Sequence, residues 1–231
     1  MSLNTFFGVA CILSFTVPVA TILMNRYFYH RSLAALLIYY FILFLDNLMA
    51  ENFLPVSPSF SKSFGILNNF LDTPLMLTAL LFFCPSKSKQ KYLQIITAAF
   101  LLYEILVIMT RGFRPESIIY VMGPGILIIL SYSLFLFIRQ VKFSIMHGKN
   151  QGRTVMLAAI VFMYASYAFI YYLYYIARTP FKQDVIVLYF IASALSALII
   201  SVGLHMMRKR MRELHALKTT RKELALFFSQ G

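Results

Sequence analysis

Four carboxylates interrupt stretches of chain that are otherwise apolar: Asp46, Glu51, Asp72 and Glu104. An acid at the centre of a hydrocarbon-buried helix costs ~2.5–3.5 kcal/mol on insertion scales, so such groups face other protein or a water-filled space. Amides accompany them at helical spacing. Asn47 stands four residues before Glu51, Asn68 four before Asp72, and Asn69 four before Thr73, which puts each pair on one face of a helix. Further along, Tyr164, Tyr167, Tyr171, Tyr174 and Tyr175 recur at steps of three or four. Carboxylates, amides and phenols at one depth can bind a cation or hydrogen-bond a small polar molecule. That reading gives a candidate ligand site of Asp46, Asn47, Glu51, Asn68, Asn69, Asp72, Glu104, Tyr164, Tyr167 and Tyr171. The plainer reading is an aromatic packing stripe, with acids that only lock neighbouring helices together.

Catalytic patterns are missing. The histidines His30, His147, His205 and His215 all fall on the opposite side from the acids, so an intramembrane zinc hydrolase cannot be assembled and no metal site is expected. There is no nucleophile elbow, phosphate-binding loop, CxxC pair or dinucleotide fingerprint. Gly123-Pro124-Gly125 reads as a helix hinge. An enzyme is not expected.

The elements that carry these residues follow from composition. Of 231 residues, 60% are hydrophobic and 13% charged, and mean hydropathy is +0.76. Soluble domains carry roughly 25% charged residues; a surface this apolar needs lipid as its solvent. A spanning helix takes ~20 apolar residues, and such runs lie near 4–25, 32–54, 64–84, 92–110, 117–138, 154–177 and 184–206. The expected fold is an all-α integral membrane bundle of seven transmembrane helices over residues 1–206, with a basic amphipathic tail helix over 207–231. Lys and Arg divide 16 to 5 between the two sides, which sets the tail in the cytoplasm and the N-terminus outside. All four acids then fall in the outer half. Met1 to Asn4 carries no positive charge and basic residues follow the first apolar run, the reverse of a cleavable signal. The net charge of +13 lies in short loops and the tail, so nucleic acid is not the expected partner. Cys11 and Cys84 belong near opposite membrane faces and are expected to stay unbridged. In the tail, Met207, Met211, Leu214, Leu217, Leu224 and Phe228 form an apolar stripe between basic residues. It suits an anionic inner leaflet or a cytoplasmic partner, and equally a solvated helical extension.

The stretch Asn68-Asn69-Phe70-Leu71-Asp72-Thr73-Pro74-Leu75-Met76-Leu77 resembles the third helix of microbial (type 1) rhodopsins, as do the chain length and the seven spans. The resemblance sets Asn68 at the counter-ion position and Asp72 at that of a following threonine. It fails at the chromophore: no lysine stands between Lys182 and Lys209, where that family forms its Schiff base, and Ser193 or a neighbour occupies the place. No cofactor, and in particular no covalent retinal, is expected. The expectation is a receptor- or sensor-like protein of the cell membrane, in a bacterial inner membrane, binding a small molecule or cation in an outward-facing cavity. The competing classes are a cation- or proton-coupled small-solute transporter or channel, and a structural or assembly protein.

Overall fold

The computed structural model describes residues 3–84, 86–148, 150–177 and 182–229, with side chains described between 5 and 208 except at Lys182. Every regular element among them is helical: α1 Leu3–Met24, α2 Arg31–Ala50, α3 Pro58–Leu80, α4 Lys87–Arg111, α5 Pro115–His147, α6 Gln151–Tyr171 and α7 Lys182–Ser229. All seven are long and apolar enough to cross a membrane, as expected of a multi-pass transmembrane protein.

Local chemistry explains where several helices begin and end. Apolar residues continue past Ala50, yet α2 stops there rather than near 54. Asn52 takes the left-handed conformation at φ 59°, and the Asn52 and Phe53 amides bond the carbonyls of Met49 and Leu48 at 3.1 and 2.9 Å. This is a Schellman closure with asparagine in the usual glycine position. Ser57 then caps α3, its hydroxyl accepting from the Phe60 amide at 3.3 Å with Pro58 in the first turn. The helix therefore starts six residues before the expected 64. Asp72 consequently sits about 21 Å along α3, deeper than the first turns where the sequence reading placed it. At the other end of the bundle, α5 runs on to His147 instead of stopping near 138 and ends at Gly148, with φ 60°. Arg139 and Lys142 thus ride on helix, not loop.

The helices α1, α2, α3, α5, α6 and α7 follow one another around a ring that closes from α7 back to α1, while α4 packs outside against α3 and α5. Most of α4 is accordingly exposed, including Leu102, Leu106 and Met109. Between lipid-facing helices the hydrophobic effect supplies little drive, so close van der Waals packing must. The α6–α7 crossing shows how. A Cβ added to Gly152 would lie 2.6 Å from the Gly203 carbonyl oxygen, and one on Gly203 would lie 2.8 Å from that of Gly152. Only glycine permits this approach. On α7 the small residues Ser193, Ala197 and Ser201, four apart, are buried. Ser201 turns its hydroxyl onto its own helix, to the Ala197 carbonyl at 2.8 Å, and only Ser193 reaches across to α6. Past Arg208 α7 continues unbroken to Ser229; of the tail residues expected to form the amphipathic stripe, Met207 packs against the bundle core, and the side chains of the others lie outside the described residues.

Candidate functional site

Polar residues gather in three places, all toward the end of the bundle that carries the α2–α3 loop or at its middle. The first is the seam between α2 and α3. Asn68 donates through Nδ2 to Asp46 Oδ2 at 2.8 Å across the two helices, and Gly65, one turn earlier on α3, faces the same carboxylate. Asn47 and Asn69 do not join it. Their amides donate to the Leu43 and Gly65 carbonyls of their own helices, at 2.8 and 2.7 Å. Glu51 is separate again: its carboxylate packs against Gly8 of α1.

The second is a buried cluster at mid-bundle centred on Asp72. The Tyr164 hydroxyl of α6 donates to Asp72 Oδ2 at 3.0 Å, and the Tyr39 hydroxyl of α2 lies beside the same carboxyl and contacts Met163 Sδ at 3.8 Å. Tyr167 continues the series, its hydroxyl 2.9 Å from that of Ser193 on α7. The rings of Tyr164 and Tyr167 meet edge-on at 5.6 Å, and Tyr167 stacks on Tyr189 at 5.5 Å. Glu104 on α4 is 5% exposed, its Oε1 has no hydrogen-bond partner among the described residues, and it lies within electrostatic reach of Asp72. An unpaired buried oxygen costs roughly 1–3 kcal/mol, so Glu104 is held there against its own solvation.

The third is built around Pro124, inside α5. Pro124 has no N–H, which leaves the Tyr120 carbonyl without its helical donor. Tyr103 of α4 supplies one, its hydroxyl donating to that carbonyl at 2.7 Å. One residue earlier, the Ile119 carbonyl accepts from the Tyr171 hydroxyl of α6 at 3.1 Å. Gly123 makes room for this phenol, since an added Cβ would lie 2.8 Å from its oxygen. Gly125 does the same for the Thr73 side chain of α3.

Immediately after Tyr171 the sixth helix widens into a π turn, Tyr172–Ile176, closed by the Ala177 amide on the Tyr172 carbonyl at 2.8 Å. Such turns are rare, cluster at functional sites and rotate side chains out of the α register. Here the turn brings Tyr171 and Tyr175 to 5.2 Å, and Tyr174 and Tyr175 to 4.9 Å. With Asn69 and Tyr189 they line a pocket of about 240 Å³ between α3, α5, α6 and α7, whose remaining wall is apolar.

Of the residues proposed from sequence, Asn69 and Tyr171 line this pocket. Asp72 and Tyr164 are bonded to each other, and Tyr167 belongs to the same cluster. Asp46 and Asn68 form their own pair. Asn47, Glu51 and Glu104 bond or pack elsewhere, as described above. Tyr175 and Tyr174 belonged to the tyrosine series yet stood outside the chosen set, and Tyr189, Tyr39 and Tyr103 went unnoticed. Tyr189 had a visible signal, a lone phenol in an apolar run four residues before Ser193; the donors to a proline-freed carbonyl had none. Among the described residues no three His, Cys, Asp or Glu side chains come together as a metal-holding group. No protein family, curated protein or solved structure matches the chain.

Proposed function

We propose that this protein is a seven-helix membrane receptor or sensor, with its N-terminus outside and its C-terminal helix in the cytoplasm, that binds a small ligand in the tyrosine-lined pocket. The orientation rests on the 16 to 5 division of basic residues, which sets the pocket at the outer face. The observation that carries the reading is the π turn: a rare, locally unfavourable element brings Tyr174 and Tyr175 to line one pocket with Tyr171 and Tyr189. Occupancy has a route inward. Tyr189 of the pocket stacks on Tyr167, Tyr167 meets Tyr164 edge-on, and Tyr164 holds Asp72.

A transporter or channel for a cation or small solute needs a polar route through the whole bundle. Beyond Asp72, toward the Gly152–Gly203 crossing, the buried residues include Met76, Leu77, Leu80, Met156, Ile160 and Leu204, and the buried Ser201 there turns its hydroxyl onto its own helix. This apolar plug favours reception over passage.

The test is a thermal-stability screen of the purified chain against a panel of small polar, neutral and cationic solutes, repeated on Ile186→Trp, which fills the pocket from α7. A ligand at 100 times its Kd adds ~2.7 kcal/mol of stability, a shift of several degrees. The expected result is stabilisation by at least one solute that Ile186→Trp does not show. A panel that leaves the native protein unmoved, or moves both proteins alike, refutes the receptor reading.

A further inference from the structure

The walls of the pocket define a ligand class. Four of its lining side chains are tyrosines, 171, 174, 175 and 189. The first three do not stack into a slab: Tyr174 and Tyr175 meet at 73° and Tyr171 and Tyr175 at 45°, so their faces turn in different directions around the space. Tyr167 covers one face of Tyr189, and Tyr189 borders the cavity. Among the described residues no lysine, arginine, aspartate or glutamate lines it. Two carboxyls stand behind the wall: Asp72 accepts from Tyr164, whose neighbour Tyr167 stacks on Tyr189, and Asp46 accepts from Asn68, next in the chain to Asn69 of the wall. At the mouth, Asp184 is exposed and immediately precedes Val185 of the wall. Aromatic faces carry negative charge density, and the acids reinforce that sign without offering a direct salt bridge.

We infer that the pocket is an aromatic cage for a small quaternary or methylated ammonium compound. The inference deepens the receptor reading and rests on it. A methylated ammonium is weakly hydrated and gives its charge to ring faces instead of hydrogen-bond acceptors, which is the recognition that several tyrosines around a cavity supply. A compact inorganic cation would find too few oxygens here to replace its water. An anion would be repelled by the ring faces. The volume of about 240 Å³ holds a trimethylammonium head with a short tail, below the ~300–1,000 Å³ that suits drug-sized molecules.

The probes are choline and its neutral isostere 3,3-dimethylbutan-1-ol, titrated by calorimetry into the full chain in detergent. Choline should bind at least tenfold more tightly than the alcohol. Tyr175→Leu should weaken choline fivefold or more, and Tyr175→Phe, which keeps the ring, should restore it. Equal or tighter binding of the alcohol would overturn the cation class while leaving the pocket as a binding site. Absence of choline binding from a protein that responds to other solutes in the stability screen would overturn the cage alone. Choline binding that survives in both Tyr175→Leu and Tyr189→Leu would place the cation elsewhere and overturn the assignment.

Discussion

The contact between Tyr103 and the Tyr120 carbonyl offers a quantitative test of how α5 is held at Pro124. Pro124 removes the amide that would satisfy this carbonyl, and the phenol of α4 replaces it at 2.7 Å. Tyr103→Phe keeps the ring and deletes only the donor. In water a peripheral carbonyl would be rescued by solvent; on a lipid-facing helix no such donor exists. Hydrogen bonds between membrane helices measure ~0.6 kcal/mol on average and up to ~1.7, and an acceptor left with no partner belongs in the upper part of that range. Tyr103→Phe should therefore cost about 1–1.7 kcal/mol. The same substitution in a Pro124→Ala background should cost much less, because the new alanine amide already fills the carbonyl, whatever Pro124→Ala does by itself. Tyr171→Phe is the internal control. Its acceptor, the Ile119 carbonyl, keeps the helical donor of Gly123, so this change should be milder and should not couple to Pro124. The four proteins of the cycle can be compared by reversible unfolding in mixed micelles. Additivity of Tyr103→Phe and Pro124→Ala within ~0.5 kcal/mol, the usual scatter for independent sites, would refute the account.

Three further outcomes are expected. Gly203→Leu should destabilise the bundle by more than the ~1–3 kcal/mol of ordinary overpacking, because a Cβ there meets the Gly152 carbonyl, which is backbone and cannot swing away; loss of the monodisperse peak on heating in detergent measures it. Tyr164→Phe should cost about 0.6–1.7 kcal/mol, and Asp72→Asn should be milder than Asp72→Leu because the amide oxygen still accepts from Tyr164; unchanged melting in Asp72→Leu would dismiss the cluster. Burial, and then the Arg153 guanidinium, hold the His30 imidazole below its ordinary range. A group whose folded pKa is depressed in this way contributes stability that is complete above the unfolded value of ~6.5 and is lost as pH falls from there through the lower folded pKa. Arg153→Gln should raise the His30 midpoint in a proton NMR titration; a midpoint that stays or falls contradicts the pairing.

How much of this was legible in the sequence depends on the range of the interaction. Seven helices were visible because a bilayer demands ~20 apolar residues from each span, a requirement the chain meets locally. The misplaced ends have local causes of another kind. Leu48, Phe53 and Leu54 carry the apolar pattern straight through the end of α2, and only the left-handed Asn52 closes it. Ser57-Pro58 was a readable start for α3, masked by the polar residues that follow it. The Asp46–Asn68 and Asp72–Tyr164 bonds join residues singled out by sequence, but the depth of Asp72 shifted with the start of α3, and which acid meets which partner depends on helix rotation and neighbour order, neither of which is written in any one helix.

The deepest gap concerns the π turn, and it follows from what periodicity can report. Tyrosines at 164, 167, 171, 174 and 175 describe a single face only if the helix keeps 3.6 residues per turn. The widened turn after Tyr171 breaks that condition halfway along the series. Tyr164 and Tyr167 consequently stay in the buried cluster, 0% and 4% exposed, while Tyr174 and Tyr175 are delivered to the pocket. One apparent stripe is thus two surfaces joined at Tyr171, which touches both the Pro124 segment of α5 and the cavity. A residue shared in this way ties the shape of the pocket to that segment of α5. The Tyr189–Tyr167 stack ties the same pocket to Asp72. Under the receptor reading proposed above, a ligand that pulled on Tyr171 or Tyr189 would act on either the Pro124 segment of α5 or the acid. Each lies on the pocket side of the apolar plug, so a response can form at mid-bundle without any path opening through the protein.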